Sequence, residues 1–98
     1  MFLMNKLKGF LKMQNSMNQT EKSLEAKTLK WMERLEKRRK QTQIMDKKAK
    51  DSLVNVDSYI SDCKHFLSKK DFIRAFEAMV YAFGIYETLI NLELVKEV

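Results

Sequence analysis

The sequence predicts an all-α protein, a three-helix up-and-down bundle preceded by a short basic amphipathic N-terminal extension. The 98 residues contain no proline and only two glycines, although the turns of an all-β or loop-rich fold demand those residues. Apolar residues also recur at alternating spacings of three and four, which is the pattern of helices packed on one another. A chain this short forms one domain, so we assign residues 1–18 to the extension and residues 19–98 to the bundle.

The extension has the pattern of a short amphipathic helix. At about 100° per residue, Lys6, Lys8 and Lys12 fall opposite an apolar arc. That arc consists of Leu3, Met4, Leu7, Phe10 and Leu11. Interfacial membrane anchors have this composition, but a mobile tail or a strip that docks on the bundle has it too, and we favour these two over a membrane surface.

The first helix is predicted over residues 19–44. Asn18 is suited to cap it, because Glu21 three residues later completes a capping box. Glu33 with Lys37 and Glu36 with Lys40 are predicted to pair along it. Its apolar stripe skips one place, which Arg38 occupies, and otherwise consists of Leu24, Thr28, Trp31, Leu35, Thr42 and Met45.

The second helix is predicted over residues 47–69, with Asp46 as its N-cap. Its stripe has spacings of four and three and consists of Ala49, Leu53, Val56, Ile60, Cys63 and Leu67. No glycine or proline marks the turn before this helix, so one continuous helix over residues 20–69 remains an alternative. In that form Trp31 and Leu35 would need a second chain, which leaves both a monomer and a homodimer open.

The third helix is predicted over residues 71–96, with Asp71 as its N-cap. Its stripe consists of Phe72, Phe76, Met79, Phe83, Tyr86 and Ile90. We interpret these rings as core, because a stacking platform for bases needs exposed rings interleaved with cations. Four residues are expected to be fully buried, namely Leu53, Ile60, Phe76 and Phe83. Small residues are expected to allow close helix approach, namely Ala75, Ala78, Ala82 and Gly84.

The stretch "YISDCKHFLSKKDFIRAFEAMVYAFGIYETL", which begins at Tyr59, resembles the small archaeal family named domain of unknown function 357. The matching positions are Tyr59, Asp62, Phe66, Leu67, Lys69, Asp71, Phe72, Ala75, Tyr81, Ala82 and Gly84. The resemblance implies a three-helix bundle and brings no established activity. Lys70 stands where the family pattern has a glycine, so we expect a non-glycine residue in the left-handed region there, at a cost of about 1 kcal/mol.

No pattern in the sequence predicts a catalytic, metal or cofactor site. Cys63 and His65, two residues apart on a helix, point in nearly opposite directions, and the chain has no other cysteine or histidine to complete a site. Asp62 and His65 are helical neighbours without a nucleophile. Tyr59 and Tyr81 are the tyrosines that we single out for a special role, with a structural role favoured. We therefore predict a non-enzymatic protein, in the cytoplasm because its one cysteine has no partner.

The charge of the chain is concentrated in its first half. Residues 1–50 carry 14 Lys/Arg and 5 Asp/Glu, whereas residues 51–98 carry 5 Lys/Arg and 8 Asp/Glu. The two halves together give the net charge of +6. The segment "EKRRKQ" places four consecutive cations around the whole circumference of a helix, so no single stripe is expected. The candidate binding residues are Arg34, Lys37, Arg38, Arg39, Lys40, Lys47 and Lys48.

Two functions fit this layout. The prediction we favour is a helical interaction module that docks a protein partner on an exposed face. The alternative is a nucleic-acid binder, of RNA above all, in which these cations contact phosphates. The sequence identifies no partner for either function.

Overall fold

The computed structural model describes residues 18–98, so the predicted extension lies outside the described residues except for Asn18. Within them the chain forms three helices and one small sheet. The elements are α1 (Gln19–Lys40), β1 (Thr42–Ile44), α2 (Ala49–Ser68), α3 (Phe72–Asn91) and β2 (Val95–Glu97). The helices form an up-and-down bundle in which α2 and α3 pack as a hairpin and α1 packs mainly on α3. The predicted three-helix bundle is confirmed.

Two of the three helices begin at their predicted caps. The Asn18 side chain accepts a hydrogen bond from the Glu21 amide at 2.8 Å, and the Glu21 side chain accepts one from the Asn18 amide. Asp71 accepts one from the Arg74 amide at 3.2 Å. The prediction of Asp46 as the N-cap of α2 is wrong. The N-cap is Lys48, whose side chain makes no capping hydrogen bond, and α2 begins two residues later than predicted. Asp46 instead accepts a hydrogen bond from the Lys48 amide at 2.9 Å and so orders the turn before the helix.

The ends of α1 and α3 differ from the prediction. Residues 42–44 leave the helix and pair antiparallel with residues 95–97, with Ile44 opposite Val95. The predicted ends at residues 44 and 96 are therefore wrong, as is the placement of Thr42 and Met45 on the stripe of α1. Met45 is 52% exposed. The physical reason is that a strand partner more than 50 residues away along the chain forms hydrogen bonds with backbone groups that would otherwise extend both helices.

The sheet also decides whether the first two helices are separate. Between them, Met45 and Asp46 both donate backbone hydrogen bonds to the Leu94 carbonyl, at 2.8 and 3.1 Å. These bonds hold the chain in a reversal between α1 and α2. One continuous helix over residues 20–69 is therefore ruled out.

The core lies between the three helices and is closed at one end by the sheet. Leu53 and Ile60 are buried as predicted, whereas the prediction that Phe76 and Phe83 are fully buried is wrong, since both are half-buried. The other buried apolar residues are Met32, Leu35, Ala49, Val56, Cys63, Phe72, Ala75, Ala78, Met79, Ala82, Tyr86, Leu89 and Val95.

Alanines rather than the two phenylalanines form the most deeply buried face of α3. Ala75, Ala78 and Ala82 are all buried, so the inner arc of α3 is lined by small side chains that let α2 approach closely. The two phenylalanines lie on the flank of that arc. Gly84 does not take part in this approach, because nothing lies within 4 Å of the position its Cβ would occupy. The prediction of a close contact at Gly84 is wrong.

The turn between α2 and α3 contains the expected departure from ordinary backbone geometry. Lys70 has a φ of 58°, in the left-handed region, as the missing turn glycine predicts. The amides of Lys70 and Asp71 donate to the Leu67 and Phe66 carbonyls at 3.0 and 2.9 Å, which closes the last turn of α2. Glu93, with a φ of 59°, makes a similar reversal after α3.

Candidate functional site

The predicted binding cations lie at the end of the bundle where α1 ends and α2 begins, and they divide into two groups. Arg38 and Arg39 are partly buried in ion pairs. The other five are exposed, three of them on α1 and two in the turn before α2. These are Arg34, Lys37, Lys40, Lys47 and Lys48.

Arg38 joins three elements. Its Nε and Nη2 contact Glu97 Oε2 of β2 at 3.0 and 2.8 Å, and its Nη1 contacts Glu87 Oε1 of α3. The guanidinium lies over the ring of Tyr86, 4.9 Å from its centroid. The hydrogen bond with Glu97 raises the pKa of Arg38 further above its usual range, against the effect of burial. Arg38 is thus a charged clamp between α1, α3 and β2.

Tyr86 lies beneath this clamp and is fully buried. Its hydroxyl is 2.6 Å from Thr42 Oγ1 and donates to the Arg38 carbonyl at 3.3 Å. Thr42 Oγ1 also contacts that carbonyl, at 2.9 Å. Burial raises the pKa of Tyr86. These bonds fix the end of α1 to β1 and α3.

Sequence reasoning missed Tyr86 and singled out Tyr59 and Tyr81 instead. Those two rings stack with centroids 5.5 Å apart, and Tyr81 is 59% exposed at the edge of the bundle. A signal for Tyr86 was available, because a tyrosine on a core stripe needs a polar partner for its hydroxyl.

Arg39 connects α1 to α2 in the same way. Its Nε and Nη2 contact the two carboxylate oxygens of Asp57 at 2.8 and 3.1 Å, a bidentate pair. The helical spacing predicted that Glu36 pairs with Lys40, but Glu36 pairs instead with Lys64 of α2. The guanidiniums of Arg38 and Arg39 therefore already hold carboxylates of the fold itself.

Five of the six remaining cations of α1 form a single row on its outer face, whereas the four consecutive cations at its end form no stripe, as expected. This basic row consists of Lys27, Lys30, Arg34, Lys37 and Lys40, at spacings of three and four residues. All five are exposed, and no carboxylate of residues 18–98 lies within 4.0 Å of their charged groups. At 1.5 Å per residue the row is roughly 20 Å long. Sequence reasoning counted four adjacent cations and missed that two of them turn inward.

Cys63 and His65 face different sides of α2, as predicted. Cys63 is buried, which raises the pKa of its thiol to about 11 and keeps it protonated at neutral pH, while His65 is exposed. Within residues 18–98, no three His, Cys, Asp or Glu side chains are grouped as a metal site would require. No helix of this part of the chain has the length and apolarity needed to cross a bilayer.

A small helical bundle with a basic outer face is thus the class of protein that the fold and this site define. The family model described as "Protein of unknown function (DUF357)" matches residues 14–95, and the chain therefore belongs to this family. The chain is also similar to the crystal structure of protein AF1782 from Archaeoglobus fulgidus, of the same family, with 35% identity and a TM-score of 0.73. That match covers 81% of this chain and 99% of the other. A comparison with curated proteins gives no match.

Proposed function

We propose that this protein is a non-enzymatic interaction module that binds an acidic partner protein through the basic row of α1. The observation that supports the proposal is that the cations of α1 have two different environments. Arg38 and Arg39 bind the carboxylates that hold the bundle together, whereas the basic row has no such partner within residues 18–98. A row of like charges on one face attracts an oppositely charged surface and orients its approach.

The pKa shifts of three described residues fit a non-enzymatic role. A general acid or base works best with a pKa near the operating pH. The three groups with a clear shift are Arg38, Cys63 and Tyr86, and all three have a raised pKa that keeps them protonated at neutral pH. None of them is therefore poised to exchange a proton under physiological conditions.

RNA is the second candidate partner, because a continuous basic row can follow a phosphate backbone. Proteins that bind single strands usually add exposed rings on which bases stack. The most exposed ring of residues 18–98 is Tyr81, and it stacks on Tyr59 at the α2–α3 edge, away from the basic row. This separation is the reason that an acidic protein is preferred.

The test reverses two charges in the middle of the basic row, in the variant Arg34→Glu/Lys37→Glu. The matched control is Lys69→Glu/Lys96→Glu, which changes the net charge equally at exposed positions outside α1. The parent and the control, used as baits in extract from native cells, should retain the same acidic protein, and the row variant should recover at least tenfold less of it. Both variants should melt like the parent, because exposed substitutions typically change stability by less than about 0.5 kcal/mol.

The same variants separate the two candidate partners. Binding of a single-stranded RNA that weakens with salt by a log–log slope of about −0.7 per phosphate contact, and that is lost only in the row variant, would establish the second candidate. Equal recovery of protein and RNA by the parent, the row variant and the control would refute both.

A further inference from the structure

An aromatic groove runs along the outer side of the α1–α3 contact. The ring of Trp31 meets Phe76 and Phe83 with centroid distances of 6.0 and 5.5 Å, and all three side chains are half-buried. Near the start of α1 the groove opens into a cavity of about 350 Å³ between Leu24, Phe76 and the first residues of the helix. Part of this aromatic surface is therefore uncovered within the described structure.

A second apolar stripe on α3 extends the groove. Ile73, Phe76, Val80 and Phe83 follow one another at spacings of three, four and three residues, the pattern of a helix-docking seam. Ile73 is 68% exposed and Val80 is 45% exposed. This stripe is separate from the inner arc through Ala75, Ala78 and Ala82 that packs on α2. Since α1 covers only the Phe76–Phe83 edge, the outer edge is available to a fourth helix.

The chain itself contains a segment with the matching pattern. Seventeen residues precede Asn18, and their apolar arc of Leu3, Leu7 and Phe10 has the same four-and-three spacing. The capping box at Asn18, whose ψ is 170°, fixes the start of α1, so Asn18 itself has extended rather than helical backbone. Between residue 11 and Gln19, residues 12–18 give a connection of seven residues, within the usual length of about 2–8 between neighbouring helices in bundles.

We propose that residues 3–11 form a fourth helix that folds back from Asn18 into this groove, with its apolar arc against Ile73, Phe76, Val80 and Phe83. Nine helical residues are about 13 Å long, and the stripe on α3 is about 15 Å long, so the two surfaces match in length. Glu77 is exposed beside the stripe on the side away from α1, where it complements the lysines of the segment. The cis contact covers the exposed parts of Phe76 and Phe83 together with Ile73 and Val80.

Trp31 is the only tryptophan of the chain and lies in the groove, so its fluorescence reports whether the groove is covered. The variant Leu7→Asp/Phe10→Asp of the full chain places two charges on the apolar arc. We expect its Trp31 emission to shift to longer wavelength and its quenching by acrylamide to increase about twofold, since tertiary cover is lost. The matched control is Asn5→Asp/Gly9→Asp, which adds the same charge on the opposite side of the segment and should behave like the parent.

A change on the groove side tests the same contact independently. Val80→Asp should reproduce the fluorescence of Leu7→Asp/Phe10→Asp. Thr88→Asp should not, because Thr88 is exposed on α3 but lies beyond the stripe. Circular dichroism and melting curves of each variant verify that the bundle is folded. The proposal is wrong if Trp31 is equally quenched in all five proteins.

Two other occupants give distinct results. If Trp31 is shielded from acrylamide only at concentrations where sedimentation shows a dimer, the groove is occupied by a segment of a second copy. Protection that requires vesicles of anionic phospholipid would assign the segment to a membrane surface. Either result overturns the cis contact, and neither depends on whether the basic row binds a partner.

Discussion

Lys37 and Arg38 are neighbours in the chain and differ completely in their surroundings. One residue turns a helix by about 100°, which places Lys37 on the solvent face and Arg38 against Glu87 and Glu97. The guanidinium suits this second position, because it binds carboxylates and lies over the ring of Tyr86 at the same time. At the residue scale, position on the helix rather than charge decides which cations are available to a partner.

Replacing Arg38 should therefore destabilise the fold. In Arg38→Met the carboxylates of Glu87 and Glu97 face each other without their shared cation, and we expect the free energy of unfolding in urea to fall by about 2–3 kcal/mol, somewhat less than for a fully buried pair. The matched control is Lys37→Met on the exposed face, which should stay within about 0.5 kcal/mol of the parent. Equal stability of the two variants would contradict the clamp.

The same comparison explains what sequence reasoning could and could not find in the site. Periodicity placed Arg38 on the stripe, but its acidic partners lie 49 and 59 residues away along the chain. Such contacts leave no local signal. Arg34, Lys37 and Lys40 were predicted as binding cations, and their side chains are exposed. Their role in binding stays a prediction.

At the scale of the elements, the first residues of the helices were predicted better than their last residues. The caps at Asn18 and Asp71 depend on residues three positions away, so they can be read locally. The ends of α1 and α3 are set by the pairing of β1 with β2, and a three-residue strand has no periodicity of its own to reveal it. The stripe of α3 was displaced for a related reason, since spacing alone does not distinguish the alanine arc from the aromatic one.

The α2–α3 turn gives an element-scale prediction at Lys70. A left-handed backbone costs a non-glycine residue about 1–2 kcal/mol, part of which glycine loses again through its freer unfolded chain. Lys70→Gly should raise the free energy of unfolding by up to about 1 kcal/mol. Lys69, with an ordinary φ of −91°, is the control, and Lys69→Gly should not be stabilising. A melting temperature that falls in Lys70→Gly would contradict the assigned turn geometry.

At the scale of the whole molecule, α1 is joined to the rest of the bundle by charge. Within residues 18–98, each ion pair between different elements contains a residue of α1, namely Glu36, Arg38 or Arg39. The α2–α3 hairpin, by contrast, is held by its alanines and by aliphatic side chains. The basic first half of the chain thus meets the acidic second half inside one domain, as its charge distribution suggests.

Salt should weaken this connection in a measurable way. The double variant Arg39→Gln/Asp57→Asn removes one α1–α2 pair and leaves the net charge unchanged. At low salt it should be less stable than the parent by about 0.5 kcal/mol, since the pair is partly exposed. In 1 M NaCl, where the screening length is about 3 Å, urea melts of the two proteins should nearly coincide. A difference that does not shrink with salt would assign the loss to packing rather than to charge.

The pairing of Ile44 with Val95 also has a consequence for the order of folding. The α2–α3 hairpin brings together residues that are close along the chain, whereas β1 meets β2 across a loop of about 50 residues, whose closure carries a larger entropic cost. Early collapse should thus yield a two-helix intermediate or transition state with a loose α1. The strand pair and the ion pairs of Arg38 then form last and complete the native topology.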